Sequence, residues 1–274
     1  MKKLLNALFY CLLLITTGTA LASAPSTIYI YSDQGVSQES LTQTIHTMSF
    51  LFGSKYSIQK IDARQVIQGT WRKDAALFIM PGGADLPYVK ALAGQGNQEI
   101  KKYVEQGGEY LGICAGAYYG SREVQFAVGT PLEVIGPREL NFFPGIAKGP
   151  ALAPYDYKSN SGSRAARILV SNGGLKEKAV VYFNGGPEFI ADPNSQNFKI
   201  IARYEDLPEN PPAIVEISVG SGAVILSGVH LEYDPVLLNP KDPYLPEIIA
   251  ALKKYQTERI KILDSIFANL GPIH

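Results

Sequence analysis

Cysteine, histidine and excess charge are all scarce in this chain, and each shortage removes a class of chemistry. Two cysteines and three scattered histidines give no metal-ligand spacing of the zinc type, so no metal is expected. No Walker loop is present, and neither Gly94-Gln95-Gly96 nor Gly220-Ser221-Gly222 completes a dinucleotide fingerprint, so no cofactor is expected. Lys+Arg and Asp+Glu stand at 25 each with no dense basic stripe, which excludes a nucleic-acid partner. Internal repeats, low-complexity tracts and a linker are lacking too. The one long apolar run, Leu4 to Ile15, falls short of the roughly 20 residues that span a bilayer, so no stable membrane anchor is expected.

That run has another reading. Met1-Lys2-Lys3 supplies a positive start, the apolar stretch follows, and Ala20-Leu21-Ala22 has the A-x-A form of a leader-peptidase site. Residues 1–22 are therefore read as a cleaved signal peptide, with a mature chain of 23–274 that is exported, periplasmic or secreted. Cleavage after Ala24 would leave Pro25 at the new terminus and is disfavoured. Loss of Lys2 and Lys3 takes Lys+Arg from 25 to 23 against 25 Asp+Glu, a slightly acidic balance. Cys11 departs as well, leaving Cys114 as the lone cysteine and excluding an intrachain disulfide. About 250 residues are enough to bury a core without one.

The mature sequence alternates between strand and helix periods. Thr27 to Tyr31 reads as a strand and Val36 to Phe52 as a helix, with Leu41, Ile45, Met48 and Phe52 at helical spacing. Tyr56 to Ile61 is a strand, and Asp62 caps the helical turn after it. Ala75 to Met80 is continuously apolar, as a central parallel strand covered on both faces must be. A polar helical segment then runs to Gly107-Gly108, and a strand Glu109 to Ile113 leads into Cys114. From Gly129 to Gly174 the chain is rich in Gly and Pro with short apolar pieces, suggesting antiparallel hairpins. Strands follow at Val180 to Phe183, Lys199 to Tyr204, Ile214 to Val219 and Ala223 to Ser227, the last two joined by Gly220-Ser221-Gly222. A long helix from Leu245 to Leu270 closes at Gly271-Pro272. The pattern predicts one α/β domain over 23–274: a flavodoxin-like three-layer sandwich with a mostly parallel central sheet and an antiparallel hairpin excursion in mid-chain.

Gly112-Ile113-Cys114-Ala115-Gly116 lies at a strand-to-helix junction. A tight turn there pushes the side chain above the strand ends, flanking glycines relieve the bend, and the helix N-terminus offers free N–H groups to a thiolate or oxyanion. The bland reading is a buried cysteine among small packing residues. A cysteine nucleophile normally needs a base. His274 is terminal and His46 lies on a surface helix face, whereas His230 emerges just beyond the strand Ala223 to Val229. If that strand runs parallel to the one before Cys114, both side chains reach one sheet edge, where open α/β sheets place their sites. Glu232 is two residues on and points the same way, so it is placed to orient the imidazole; an ordinary exposed strand end is the alternative. Pro81-Gly82-Gly83-Ala84-Asp85 also follows a core strand, and the Gly83 and Ala115 N–H groups are candidates for an oxyanion hole. Asn184-Gly185-Gly186 repeats that strand-end arrangement. Gly82, Asp85, Tyr118, Tyr119, Asn184 and Gly185 are the candidate substrate-binding residues. Glu188 and Asp192 have the spacing of a carboxylate pair but read as a solvated loop.

In order, a PGG loop, a GICAG elbow and a late H-x-E resemble the class I glutamine amidotransferase superfamily. Pro81 to Tyr88, Gly112 to Tyr118 and Tyr182 to Gly186 resemble more closely the amidotransferase-like N-terminal domain of eukaryotic biotin–protein ligases and its stand-alone bacterial relatives. The resemblance covers nearly the whole mature chain and implies Cys114 as nucleophile, His230 as base and Glu232 as its orienter. Leu231 stands where many amidotransferases carry Pro. Ala115 replaces the His that the intracellular protease and chaperone branch places after its cysteine. No segment resembles a biotin-ligase catalytic domain or an ammonia-accepting synthase, so no biotinylation is expected. The function implied is a cysteine-dependent amide or γ-glutamyl-type hydrolase acting through a thioester on a small molecule or peptide. The alternatives are a non-catalytic ligand-binding module on the same fold and a cell-envelope cysteine peptidase.

Overall fold

The computed structural model describes residues 25–152 and 154–268. The predicted leader over 1–22 and the Gly271-Pro272 stop lie outside the described residues.

The first half of the chain alternates strand and helix. β1 (Thr27–Tyr31) leads to α1 (Gln38–Phe52), whose Ser37 cap accepts the Ser40 N–H. β2 (Ser57–Ile61) leads to α2 (Ala63–Gln68), where Asp62 and Gln65 form a reciprocal capping box. β3 (Ala75–Met80) is buried at every position, as its unbroken apolar sequence requires. The polar stretch after it folds as two helices, α3 (Asp85–Leu92) and α4 (Gln95–Glu105), before β4 (Glu109–Ile113) and the short α5 (Ala115–Gly120).

Beyond α5 the chain leaves the βα alternation. β5 (Ser121–Phe126), β6 (Val134–Pro137) and β7 (Phe143–Gly149) join the later β10 (Glu188–Ala191) in a four-stranded sheet of order β10-β7-β5-β6. The predicted excursion is present, but it is not purely antiparallel, because β5 and β7 pair in parallel. β8 (Arg164–Asn172) and β9 (Leu175–Phe183) form a long hairpin turned by Gly173 and Gly174, both at positive φ as a two-residue turn demands. β11 (Phe198–Tyr204), β12 (Pro212–Val219) and β13 (Gly222–Ser227) follow. The predicted closing helix is two, α6 (Pro246–Lys254) and α7 (Gln256–Ile266), broken at Tyr255, which leaves the helical conformation at φ −113° and ψ 18°.

The main sheet has nine strands in the order β2-β1-β3-β4-β13-β12-β11-β8-β9. The five from β2 to β13 pair in parallel, and the remaining strands extend the sheet antiparallel. Its two faces divide strand residues by the period of two. Ile28, Ile30, Leu77, Ile79 and Ile113 pack with α1 and α7 on one face. Tyr31, Phe78, Met80 and Tyr110 pack on the other with α2 to α5 and the small sheet. Each such fully buried side chain contributes roughly 1.5–3 kcal/mol, so the strand alternation fixes the register. β13 lies parallel beside β4 with Ser227 opposite Ile113, so both strands end at the same edge.

Candidate active site

Cys114 follows β4 in a backbone conformation that side-chain-bearing residues rarely adopt, φ 51° and ψ −103°. Its N–H is anchored to the Ser227 carbonyl at 2.9 Å, which ties the elbow to the end of β13. The flanking glycines are steric necessities. A Cβ on Gly116 would lie 2.0 Å from the Met80 carbonyl oxygen, and one on Gly112 would lie 2.4 Å from that of Gly116. Backbone strain of this kind concentrates where a side chain must be aimed at a ligand. Sγ lies 3.5 Å from the Asn184 carbonyl oxygen, and the residue is 7% exposed.

His230 and Glu232 arrive from the neighbouring strand end. His230 Nδ1 is 2.7 Å from Glu232 Oε1, and both residues are buried, at 3% and 1% exposure. The intervening Leu231 turns into the core, as period two requires. The His230 main chain donates to the Tyr182 carbonyl at 2.8 Å, and its ring packs against Tyr182 and Tyr233, themselves stacked at 4.2 Å. Burial alone would push the imidazole toward neutrality. The Glu232 charge, with the proximity of the Cys114 thiol and the hydrogen bond to Glu232, outweighs burial and raises its pKa from 6.5 to about 10. His230 is thus bonded to Glu232, and Cys114 and His230 line one cleft.

Two residues with candidate oxyanion-hole N–H groups line the same cleft. Gly83 sits opposite Val36 in an antiparallel bridge whose hydrogen bonds run from Ser37 to Gly82 and from Ala84 to Gly35. That wide-pair geometry turns the amide of Gly83 away from the bridge. Among the described residues neither the Gly83 nor the Ala115 N–H is taken by a protein acceptor, and both residues line a pocket with Cys114. Gly83 has φ 149°, and a Cβ there would meet the Gly35 oxygen at 2.0 Å. At Gly82 a Cβ would lie 3.0 Å from His230 Cε1, so the missing side chain makes room for the ring.

The other expected binding residues divide. Asn184 lines the cleft beside Cys114 and His230, with its Oδ1 buried and unpartnered. Gly185 lines the pocket on the other side of the sulfur, and its carbonyl accepts the Tyr118 hydroxyl at 3.0 Å. Asp85 also lines that pocket but is bound to Arg138 Nε at 2.7 Å, with both side chains buried. Tyr119 is a correction. It points to the opposite side of α5, hydrogen-bonded to Asn97 and packed on Tyr88. Successive helical residues diverge by about 100°, so Tyr118 and Tyr119 cannot both face the cleft. Glu188 and Asp192 are engaged by Lys148 and Arg122 and do not face each other as a catalytic pair.

The surroundings of Glu232 include residues that sequence patterning misses. Ser40 Oγ accepts the Gly82 N–H at 2.9 Å and donates to Glu232 Oε1 at 3.4 Å. Thr47 Oγ1 donates to the Glu232 carbonyl at 2.6 Å, and Gln43 brackets the main chain of Asp234. Arg259 of α7 donates to the Leu231 carbonyl at 2.7 Å. For Ser40, Gln43 and Thr47 the one sequence signal is the helical spacing of polar residues on α1, which ordinarily marks a solvated face. Among the described residues no cluster of His, Cys, Asp and Glu could hold a metal, and no helix is long and apolar enough to cross a membrane.

Comparison with known proteins identifies the family and the fold. The family model described as "Biotin-protein ligase, N terminal" matches residues 26–272. The biotin–protein ligase of Schizosaccharomyces pombe is 36% identical over 249 residues, which cover 89% of this chain and 38% of that protein. The chain therefore spans well under half the length of that relative. An uncharacterized protein of Chlamydia muridarum is 37% identical over 211 residues, covering 76% of this chain and 81% of that one. Among solved structures, PurLQS from Thermotoga maritima superposes with a TM-score of 0.55 at 15% identity, covering 90% of this chain and 99% of that chain, a likeness of fold. The chain belongs to the family of the biotin–protein ligase N-terminal domain and has the α/β fold of the glutamine amidotransferase-like proteins.

Proposed function

We propose that this protein is a cysteine-dependent amide hydrolase acting on a small molecule or peptide. The observation that supports the reading is the buried His230–Glu232 hydrogen bond on the cleft that Cys114 also lines, beside two unclaimed N–H groups. In this scheme the Cys114 sulfur attacks the amide carbon and the S–C bond forms. The Gly83 and Ala115 amides hold the oxyanion, a contribution of the kind worth roughly 10²–10³ in rate. His230 delivers its proton to the leaving nitrogen as the C–N bond breaks. Water, deprotonated by His230, then cleaves the thioester to a carboxylic acid and restores the thiol. Glu232 holds the ring in position and stabilises its charged form. A γ-glutamyl amide is one substrate of this class and an envelope peptide another. Biotin ligation is not part of the proposal.

The test is turnover of an amide panel by wild-type protein and by Cys114→Ala, with mass spectrometry of the protein quenched during turnover. The proposal expects an acyl adduct on Cys114 and no turnover by the variant. Equal turnover by a folded variant would refute it. A ligand-binding module without turnover is the second reading, favoured by the burial of Cys114 at 7% exposure. It predicts saturable binding with no adduct.

We also propose export, on the strength of the charged start, the apolar run and Ala20-Leu21-Ala22. N-terminal sequencing of the protein recovered outside the cytoplasm should begin at Ser23; an intact Met1 there would contradict it.

A further inference from the structure

One peptide plane ties the PGG loop to both halves of the site. The Pro81 carbonyl accepts the Gly116 N–H of the cysteine elbow at 3.2 Å. From the other edge of that plane, the Gly82 N–H donates to Ser40 Oγ at 2.9 Å. A peptide unit is rigid, so these two bonds fix its tilt. The next plane, which carries the Gly83 N–H, is held at the Gly82 carbonyl by the Ser37 N–H at 3.0 Å.

Ser40 passes this constraint on to the acid. Its Oγ accepts from Gly82, and its own proton points to Glu232 Oε1 at 3.4 Å. That second bond is long for a hydroxyl donor, so it restrains direction more than it adds binding strength. Direction is what the carboxylate lacks. Glu232 Oε2 is buried with no hydrogen-bond partner, so the side chain is fixed at Oε1 alone, by His230 Nδ1 at 2.7 Å and by Ser40. A carboxylate held only by His230 would pivot about that single bond. Ser40 is 1% exposed, so bulk water does not stand in for its hydroxyl.

Building on the hydrolase reading, we infer that Ser40 is a positioning residue. Through Gly82 and Glu232 it keeps the cysteine elbow, the loop of Gly83 and the His230 ring in one geometry. It acts through these groups and not on the reacting atoms.

The test compares wild type with Ser40→Ala and with Ser40→Thr, which keeps the hydroxyl. Ser40→Cys, a weak hydrogen-bonding group of similar shape, replaces Ser40→Ala if that variant does not fold. Proton NMR reads the downfield signal of the His230 ring N–H bonded to Glu232, assigned by its loss in His230→Gln. Ser40→Ala should shift or broaden this signal, and Ser40→Thr should keep it. On the amide panel, with γ-glutamyl-p-nitroanilide included, Ser40→Ala should lower kcat about 5-fold or more with KM changed by less than about 2-fold, and Ser40→Thr should recover most of the loss. In a wild type that turns over an amide, an unmoved signal, an unchanged kcat or equal losses in the two variants would overturn the inference. A wild type without turnover whose signal still depends on Ser40 sinks the hydrolase and upholds the positioning role. Turnover that depends on Cys114 but not on Ser40 does the reverse. Neither turnover nor a Ser40-dependent signal sinks both.

Discussion

Arg259 on α7 donates to the main-chain carbonyl of Leu231 at 2.7 Å, gripping the backbone between His230 and Glu232 from behind. Its other contacts are with Gln256 and, at 3.4 Å, Asp234. Desolvation lowers the pKa of this buried guanidinium, while Asp234 and Glu232 oppose that shift. The C-terminal helix is thereby part of the support for the site. Arg259→Ala strands a buried carbonyl and should destabilise the protein by about 1–3 kcal/mol in urea unfolding. Turnover should fall in protein that remains folded; unchanged stability and turnover would remove Arg259 from the site.

His230 makes the stability of the fold depend on pH in a defined direction. Its pKa is raised from 6.5 to about 10 on folding, so the protonated ring stabilises the native state. That contribution is complete below about pH 6.5 and is lost as pH rises through about 10. The melting temperature of wild-type protein should therefore fall more between pH 7 and pH 10 than that of His230→Gln. Parallel curves would show that the ring is neutral in the folded protein.

The elbow stores strain that the fold does not need. With Cys114 at φ 51°, glycine is the residue best suited to its backbone. Cys114→Gly should be more stable than Cys114→Ala by about 1 kcal/mol, while both are inactive. Chemical denaturation of the two variants measures the difference, and a more stable alanine variant would contradict the strain argument.

The two glycines of the PGG loop should fail differently. Gly83→Ala places a Cβ 2.0 Å from the Gly35 oxygen at φ 149° and should impair folding, seen as lost soluble protein or a sharply lowered melting temperature. Gly82→Ala meets His230 Cε1 at 3.0 Å and Ser40 Oγ at 3.1 Å, so it should retain the fold and lose activity. Equal melting temperatures for the two variants would contradict this division.

Much of this arrangement was legible in the sequence because apolar patterning and backbone punctuation carry it. The unbroken run Ala75 to Met80 became a strand buried at every position, and Glu109 to Ile113 delivered Cys114 to the edge reached from β13. His230 and Glu232 share a direction because the strand period is two, with Leu231 facing the core between them. The supports behind them were not legible. Ser40, Gln43 and Thr47 are buried polar residues on α1, and their partners lie almost 200 residues away or on another strand end. Pattern alone cannot separate such a face from a solvated one. The parallel pairing of β5 with β7, the break at Tyr255 and the inward turn of Tyr119 are likewise set by tertiary packing.

The most direct test of the central claim is the rate at which iodoacetamide alkylates Cys114 in native protein at neutral pH, compared with His230→Ala. If His230 acts as the base of Cys114, wild-type Cys114 is alkylated rapidly and the variant at least 10-fold more slowly. A native Cys114 that resists alkylation, or equal rates in the two proteins, would contradict it.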